Sequence, residues 1–94
     1  MFDIALAEDG SVTLAGRFDA AQADKAKGLL ETITGPCVID MQDLDYISSA
    51  GLGILLATYK RLDDHGHTVV LRNMNNHIKR IFQISGLDKV FLIE

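Results

Sequence analysis

The sequence predicts an α/β fold: a small, mostly parallel sheet with an antiparallel N-terminal strand, in the order β-β-α-β-α-β-α-β. Three observations predict it. Phe2, Ile4 and Leu6 alternate with smaller or polar residues, and Val12 and Leu14 resume the alternation after Glu8-Asp9-Gly10, as in a hairpin with one wet face. Three later segments carry apolar residues at helical spacing. Short apolar runs lie between and after them, and strands separated by helices pair in parallel through crossovers. With 94 residues, 48% hydrophobic and 23% charged, the chain is expected to be a single domain over 1–94.

Each element has a local reason. Gly16 is read as the end of the second strand. Asp19 stands at an N-cap position ahead of Ala23, Ala26, Leu30 and Ile33, which places the first helix over 20–32. Gly35-Pro36 breaks that helix, and the apolar run 37–41 reads as an interior strand. Leu52, Leu55, Leu56, Tyr59 and Leu62 form one continuous stripe and predict the strongest helix, capped by Ser49 and stopped near His65 by Gly66. A strand over 68–71, a helix begun by Asn75 or Asn76 and closed by Gly86, and a last strand over 90–93 complete the order.

Composition narrows the function. A chain this short buries only about 60 to 65% of its extended surface, leaving little room for both a packed core and a deep substrate cavity, so a small binding or switch module is favoured over an enzyme. Nine Lys plus Arg against thirteen Asp plus Glu give a net charge of -4, and Lys79-Arg80 is the longest basic stretch. A nucleic-acid partner is therefore not expected. No apolar run approaches the roughly 18 residues of a membrane span, no export leader is apparent, and Cys37 is the single cysteine. The expectation is a cytoplasmic protein without membrane insertion, with Cys37 as a small buried hydrophobe.

The segment with chemical potential is Asp43-Leu44-Asp45-Tyr46-Ile47-Ser48-Ser49-Ala50-Gly51-Leu52-Gly53. It lies between the third strand and the strongest helix, at the carboxyl end of a parallel strand, where open α/β sheets place their sites. Ser49 reads either as a cap alone or as a functional hydroxyl at a helix start that tolerates an anion. Gly51 and Gly53 each weaken a helix by roughly 0.8 to 1 kcal/mol relative to Ala, and both fall in the first turn, which suggests close approach by another molecule. Dinucleotide and P-loop fingerprints fail, because Leu56 stands where a third Gly belongs and Ile54-Leu55 where Lys-Ser/Thr belongs. Catalysis by Ser49 lacks a base: His65 and His67 lie about 24 Å along the helix, and His77 reads as a surface residue. Asp40, Asp43 and Asp45 lack the order of a calcium loop and read as a solvated acidic loop. No metal and no cofactor are expected.

Asp43-Leu44-x-x-Ile47-x-Ser49-x-Gly51-Leu52-Gly53, followed by Tyr59-Lys60, resembles the central motif of STAS domains of the bacterial anti-sigma factor antagonist type. Gly16-x-Phe18-Asp19 resembles that family's first-loop signature, and Ile78-Lys79-Arg80-Ile81-Phe82-x-x-Ser85-Gly86-Leu87-x-Lys89 its closing helix and turn. The resemblance covers nearly the whole chain, and its fold agrees with the order read from periodicity. It implies that the serine matching Ser49 is phosphorylated by a partner that is both anti-sigma factor and serine kinase. The unphosphorylated form binds that partner, and a PP2C-type phosphatase restores it. Ser48 stands where the family often has Asp, and Ala50 where it often has Ser or Thr, so Ser48 is the alternative acceptor. The expected partner face comprises Phe18, Asp19, Ser48, Ser49, Ala50, Gly51, Gly53 and an exposed Ile54, with Asp19 either touching the partner or only capping. Two readings compete: a STAS scaffold subunit of a lipid-transport ATPase or stress-sensing complex without phospho-switching, and a nucleotide-binding domain.

Overall fold

The computed structural model describes all 94 residues. The N-terminal alternation closes a hairpin of β1 (Phe2–Leu6) and β2 (Val12–Phe18), paired antiparallel from Phe2 opposite Gly16 to Leu6 opposite Val12. β3 (Cys37–Ile47), β4 (Val69–Arg72) and β5 (Leu92–Ile93) add in parallel, so the five strands lie in chain order across one sheet. Helices α1 (Ala23–Leu30), α2 (Ser49–Asp64) and α3 (Asn76–Ser85) make the crossovers. The inward residues of the strands join Ala26 and Leu30 of α1, Leu55 and Leu62 of α2, and Ile78 and Phe82 of α3 in one core. Phe91 closes it, edge-on to both Tyr59 and Phe82. No helix is long and apolar enough to cross a membrane.

The order of elements and the single antiparallel pair agree with the sequence reading, while several boundaries move. β2 runs through Gly16, which is buried with φ +84°; a side chain there would strike the Met1 carbonyl. Glycine lets the strand continue past a conformation that L side chains rarely adopt. Asp19 does cap, but what it caps is a 3-10 turn over Ala20–Gln22, with α1 itself shorter than expected. β3 continues six residues beyond Met41. Two register irregularities opposite β2 absorb extra residues in β3, so its buried residues Met41, Leu44 and Ile47 recur every third position rather than every second, and the alternation is hidden. The last strand shrinks because Leu87–Lys89 forms a 3-10 turn. Gly66 and Gly86 take the left-handed conformation expected of them, and Asn75, not Asn76, caps α3 through Ile78 N–H at 2.9 Å.

Polar contacts pin the elements together. Arg72 at the end of β4 reaches Asp40 of β3 at 3.4 Å and Asp9 of the hairpin turn at 3.7 Å. Asp40 is held below the usual carboxylate range, first by the Gln42 amide and then by Asn73 and Arg72. Asp9 is held low by the Ser11 hydroxyl and amide. Burial pushes the Cys37 thiol up, as befits a core residue rather than a reactive one.

Candidate functional site

β2 and β3 end side by side, with Phe18 opposite Ile47, and the chain turns from β3 directly into α2. The turn is fixed by backbone chemistry. The Ser48 amide donates to the Phe18 carbonyl at 2.9 Å, holding Ser48 extended at φ -89° and ψ 173°. From that position the Ser48 hydroxyl oxygen accepts from the Gly51 amide at 3.2 Å, and its carbonyl accepts from Leu52 at 2.9 Å. Ser48, and not Ser49, is therefore the N-cap. Helical geometry begins at Ser49 because Phe18 sets where the last extended residue lies.

Ser49 occupies the first helical position and is exposed. Of the four orphan amides at a helix start, that of Ser48 donates to the Phe18 carbonyl and that of Gly51 to the Ser48 hydroxyl oxygen. Those of Ser49 and Ala50 have no intrahelical partner, and the start of α2 carries the positive end of the helix dipole. No acidic side chain lies in that first turn. Asp19, half-buried, accepts from the Ala21 amide at 3.1 Å, so its capping role is met by geometry.

The other expected contact residues divide. Phe18 is fully buried and stacks on Phe2 at 4.8 Å; it shapes the turn from beneath and presents no side chain outward. Gly51 is also buried, and a Cβ there would come within 2.8 Å of Ile47 and 2.9 Å of the Phe18 carbonyl. Its missing side chain lets α2 sit against the sheet, which corrects the expectation of an open surface there. Gly53 is the opposite case, exposed and with nothing within 4 Å of a Cβ. Ala50 is half-buried. Ile54 is half-buried rather than exposed, packed against the core and lining a groove.

That groove, about 320 Å³, runs between α1 and α2 and is lined by Lys27, Glu31, Ile54, Ala57, Thr58 and Arg61. Sequence reading missed it, except for Ile54. A signal was present: Ser49, Gly53, Ala57 and Arg61 recur every four residues and so follow one inclined ridge of the helix. Arg61 is fixed by two 2.9 Å hydrogen bonds to the carbonyls of Leu30 and Ile33 at the end of α1, a long-range contact that no local pattern contains.

The histidines stand apart from Ser49. His65 Nδ1 meets the Arg61 carbonyl at 2.8 Å at the far end of α2, and His77 lies exposed on α3. Asp43 and Asp45 are exposed, and Asp40 is committed to Gln42, Arg72 and Asn73. The local chemistry is that of an accessible hydroxyl on a helix terminus, suited to receive an anionic group and lacking a side-chain base to make it a nucleophile.

Comparison with known proteins agrees with this architecture. A family model described as "Mlab, STAS domain" matches residues 4–94. BtrV of Bordetella bronchiseptica is 38% identical over 72 residues, 77% of this chain but only 56% of that protein, so the chain spans little more than half of it. The anti-sigma-B factor antagonist of Listeria monocytogenes is 31% identical over 87 residues, 88% of this chain and 76% of that protein. A crystal structure of an anti-sigma factor antagonist from Mycobacterium paratuberculosis superposes with a TM-score of 0.77 at 28% identity, covering 99% of this chain and 83% of the other. With a match along nearly its whole length and the same mixed sheet, this chain belongs to the STAS domain family.

Proposed function

We propose that this chain is an anti-sigma factor antagonist, a binding module and not an enzyme, working in a partner-switching pathway. In its unphosphorylated form it binds an anti-sigma factor that is also a serine kinase. Phosphorylation of Ser49 blocks that binding, and a PP2C-type phosphatase reverses it. The observation that carries this reading is the division of labour between neighbouring serines: Ser48 is committed as the cap of α2, which leaves the exposed Ser49 hydroxyl free for modification. The name of the Listeria relative supports it.

The physics of the switch is local. Phosphorylation adds about -1.5 to -2 charges at neutral pH, and the two orphan amides and the dipole at the start of α2 favour an anion there. The fold has no reason to rearrange. A partner docked over this face would have to desolvate the phosphate or oppose it with its own acids, so the modified form is rejected by surface charge alone. ATP belongs to the partner, whose kinase moves the γ-phosphoryl group to the Ser49 oxygen and releases ADP. The face we assign to the partner is Asp19, Ser49, Ala50, Gly53 and the exposed part of Ile54, in the cytoplasm where sigma factors act.

The test is mass spectrometry of the chain after incubation with ATP and each anti-sigma factor/serine kinase of the source genome, with the modified residue mapped. Phosphate on Ser49, lost in Ser49→Ala, is the expected result. Ser49→Ala should still bind the kinase and Ser49→Asp should bind weakly. Equal affinity of wild type and both variants would remove the switch. A second reading, a scaffold subunit of a lipid-transport ATPase or stress-sensing complex, takes its support from the Mlab description of the family model. Stoichiometric co-purification with a transporter, with no phosphate on any serine, would favour it.

A further inference from the structure

We infer that the groove between α1 and α2 is the part of the docking face that selects the partner, by taking up an acidic side chain that adjoins an apolar one. This rests on the reading above that a protein partner meets the Ser49 face. Ser49, Gly53, Ala57 and Arg61 follow one another at four-residue spacing, so the groove continues the same inclined ridge of α2, with Arg61 about 18 Å along the axis from Ser49 and about 120° round it. Gly53 and Ala57 are exposed and small, so the ridge between Ser49 and the groove carries no bulky side chain of its own.

The groove has two kinds of wall. Ile54 and Ala57 supply an apolar side. Arg61 supplies a held positive charge: two of its donors are spent on the Leu30 and Ile33 carbonyls, and none of the chain's ion pairs includes it. The α1 terminus offsets only part of that charge, since a helix end carries about half a unit. The guanidinium keeps further N–H donors, and its side chain is already immobilised, so little entropy is lost when a carboxylate meets it. Lys27 lies on the opposite wall in a 4.0 Å pair with Glu31, both exposed, a contact weak enough to yield to an incoming acid. Lys27, Glu31 and Arg61 together leave one positive charge in a groove of a chain whose net charge is -4. An acidic residue beside an apolar one satisfies both walls, whereas a basic segment meets repulsion.

The experiment measures the affinity of the kinase that phosphorylates the chain for wild type, Ala57→Glu, Lys27→Glu, Ser49→Asp and Lys79→Glu. Ala57 and Lys27 are exposed helix positions that accept Glu without a packing change. Ala57→Glu should weaken binding by about tenfold or more, and Lys27→Glu by about threefold or more, through like-charge repulsion. Lys79→Glu makes the same charge change on α3 and should leave binding within about twofold. If Ser49→Asp weakens binding while both groove variants bind like wild type, the groove inference is overturned and the switch reading stands. If no kinase binds wild type, the two fall together. Losses in both groove variants, with circular dichroism matching wild type, establish the inference.

Discussion

The Ser48 amide donates to the Phe18 carbonyl at 2.9 Å, and that bond decides which of two adjacent serines is structural. It ties the end of β2 to the first turn of α2, so Ser48 is extended and capping while Ser49 is helical and exposed. Removing the cap should therefore cost stability and removing its neighbour should not. Ser48→Ala is expected to destabilise the fold by about 1 kcal/mol, Ser48→Asp to retain the cap, and Ser49→Ala to stay within about 0.5 kcal/mol of wild type. Urea denaturation followed by circular dichroism measures all three, and a larger loss in Ser49→Ala than in Ser48→Ala would contradict the assignment.

Gly51 and Gly53 should respond oppositely to the same substitution. A methyl group on Gly51 meets the Phe18 carbonyl and Ile47 at under 3.0 Å, and overpacking against backbone costs about 1 to 3 kcal/mol. A methyl group on Gly53 meets nothing and should stabilise α2 by about 0.4 to 1 kcal/mol, since alanine restricts the unfolded chain. Thermal melts of Gly51→Ala and Gly53→Ala should shift in opposite directions.

Arg61 joins the far end of α2 to the end of α1. Arg61→Met keeps much of the aliphatic stem and removes two hydrogen bonds to carbonyls, which should cost roughly 1 to 2 kcal/mol. Hydrogen exchange should show the loss first at the α1 terminus, in the amides of Thr32 and Ile33, which donate to Leu29 and Leu30.

Acid should loosen the hairpin turn and β3 from Arg72 at the end of β4. Asp9 and Asp40 both titrate below the ordinary carboxylate range in the folded protein, so the unfolded chain binds more protons over that interval and stability rises with pH there. The contribution is complete above about pH 4, the unfolded carboxylate value, and is lost as pH falls through the lower folded values. Urea midpoints from pH 6 down to about pH 3 should fall in wild type, and fall less steeply in Asp40→Asn. Equal slopes would show that this cluster does not contribute.

The order of elements, the antiparallel start, a cap at Asp19 and one at Asn75 or Asn76, and the helix stops at Gly66 and Gly86 were legible in the sequence. Each depends on residues within a few positions of one another. So was the segment carrying Ser49, because a strand-to-helix turn with two glycines stands out locally. Besides the choice of Ser48 over Ser49 as the cap of α2, three things were decided only by tertiary structure. β3 hides its alternation because irregular pairing with β2 shifts its register. Phe18 and Gly51, read as surface, are buried against each other because the end of β2 packs under α2. The α1–α2 groove brings together residues of two helices, and Arg61 in its wall reaches carbonyls about 30 residues away in sequence. The physical reason is common to all three: capping and turn preferences are local free energies written into neighbouring residues, whereas register, close packing and long-range hydrogen bonds depend on which distant segment arrives alongside.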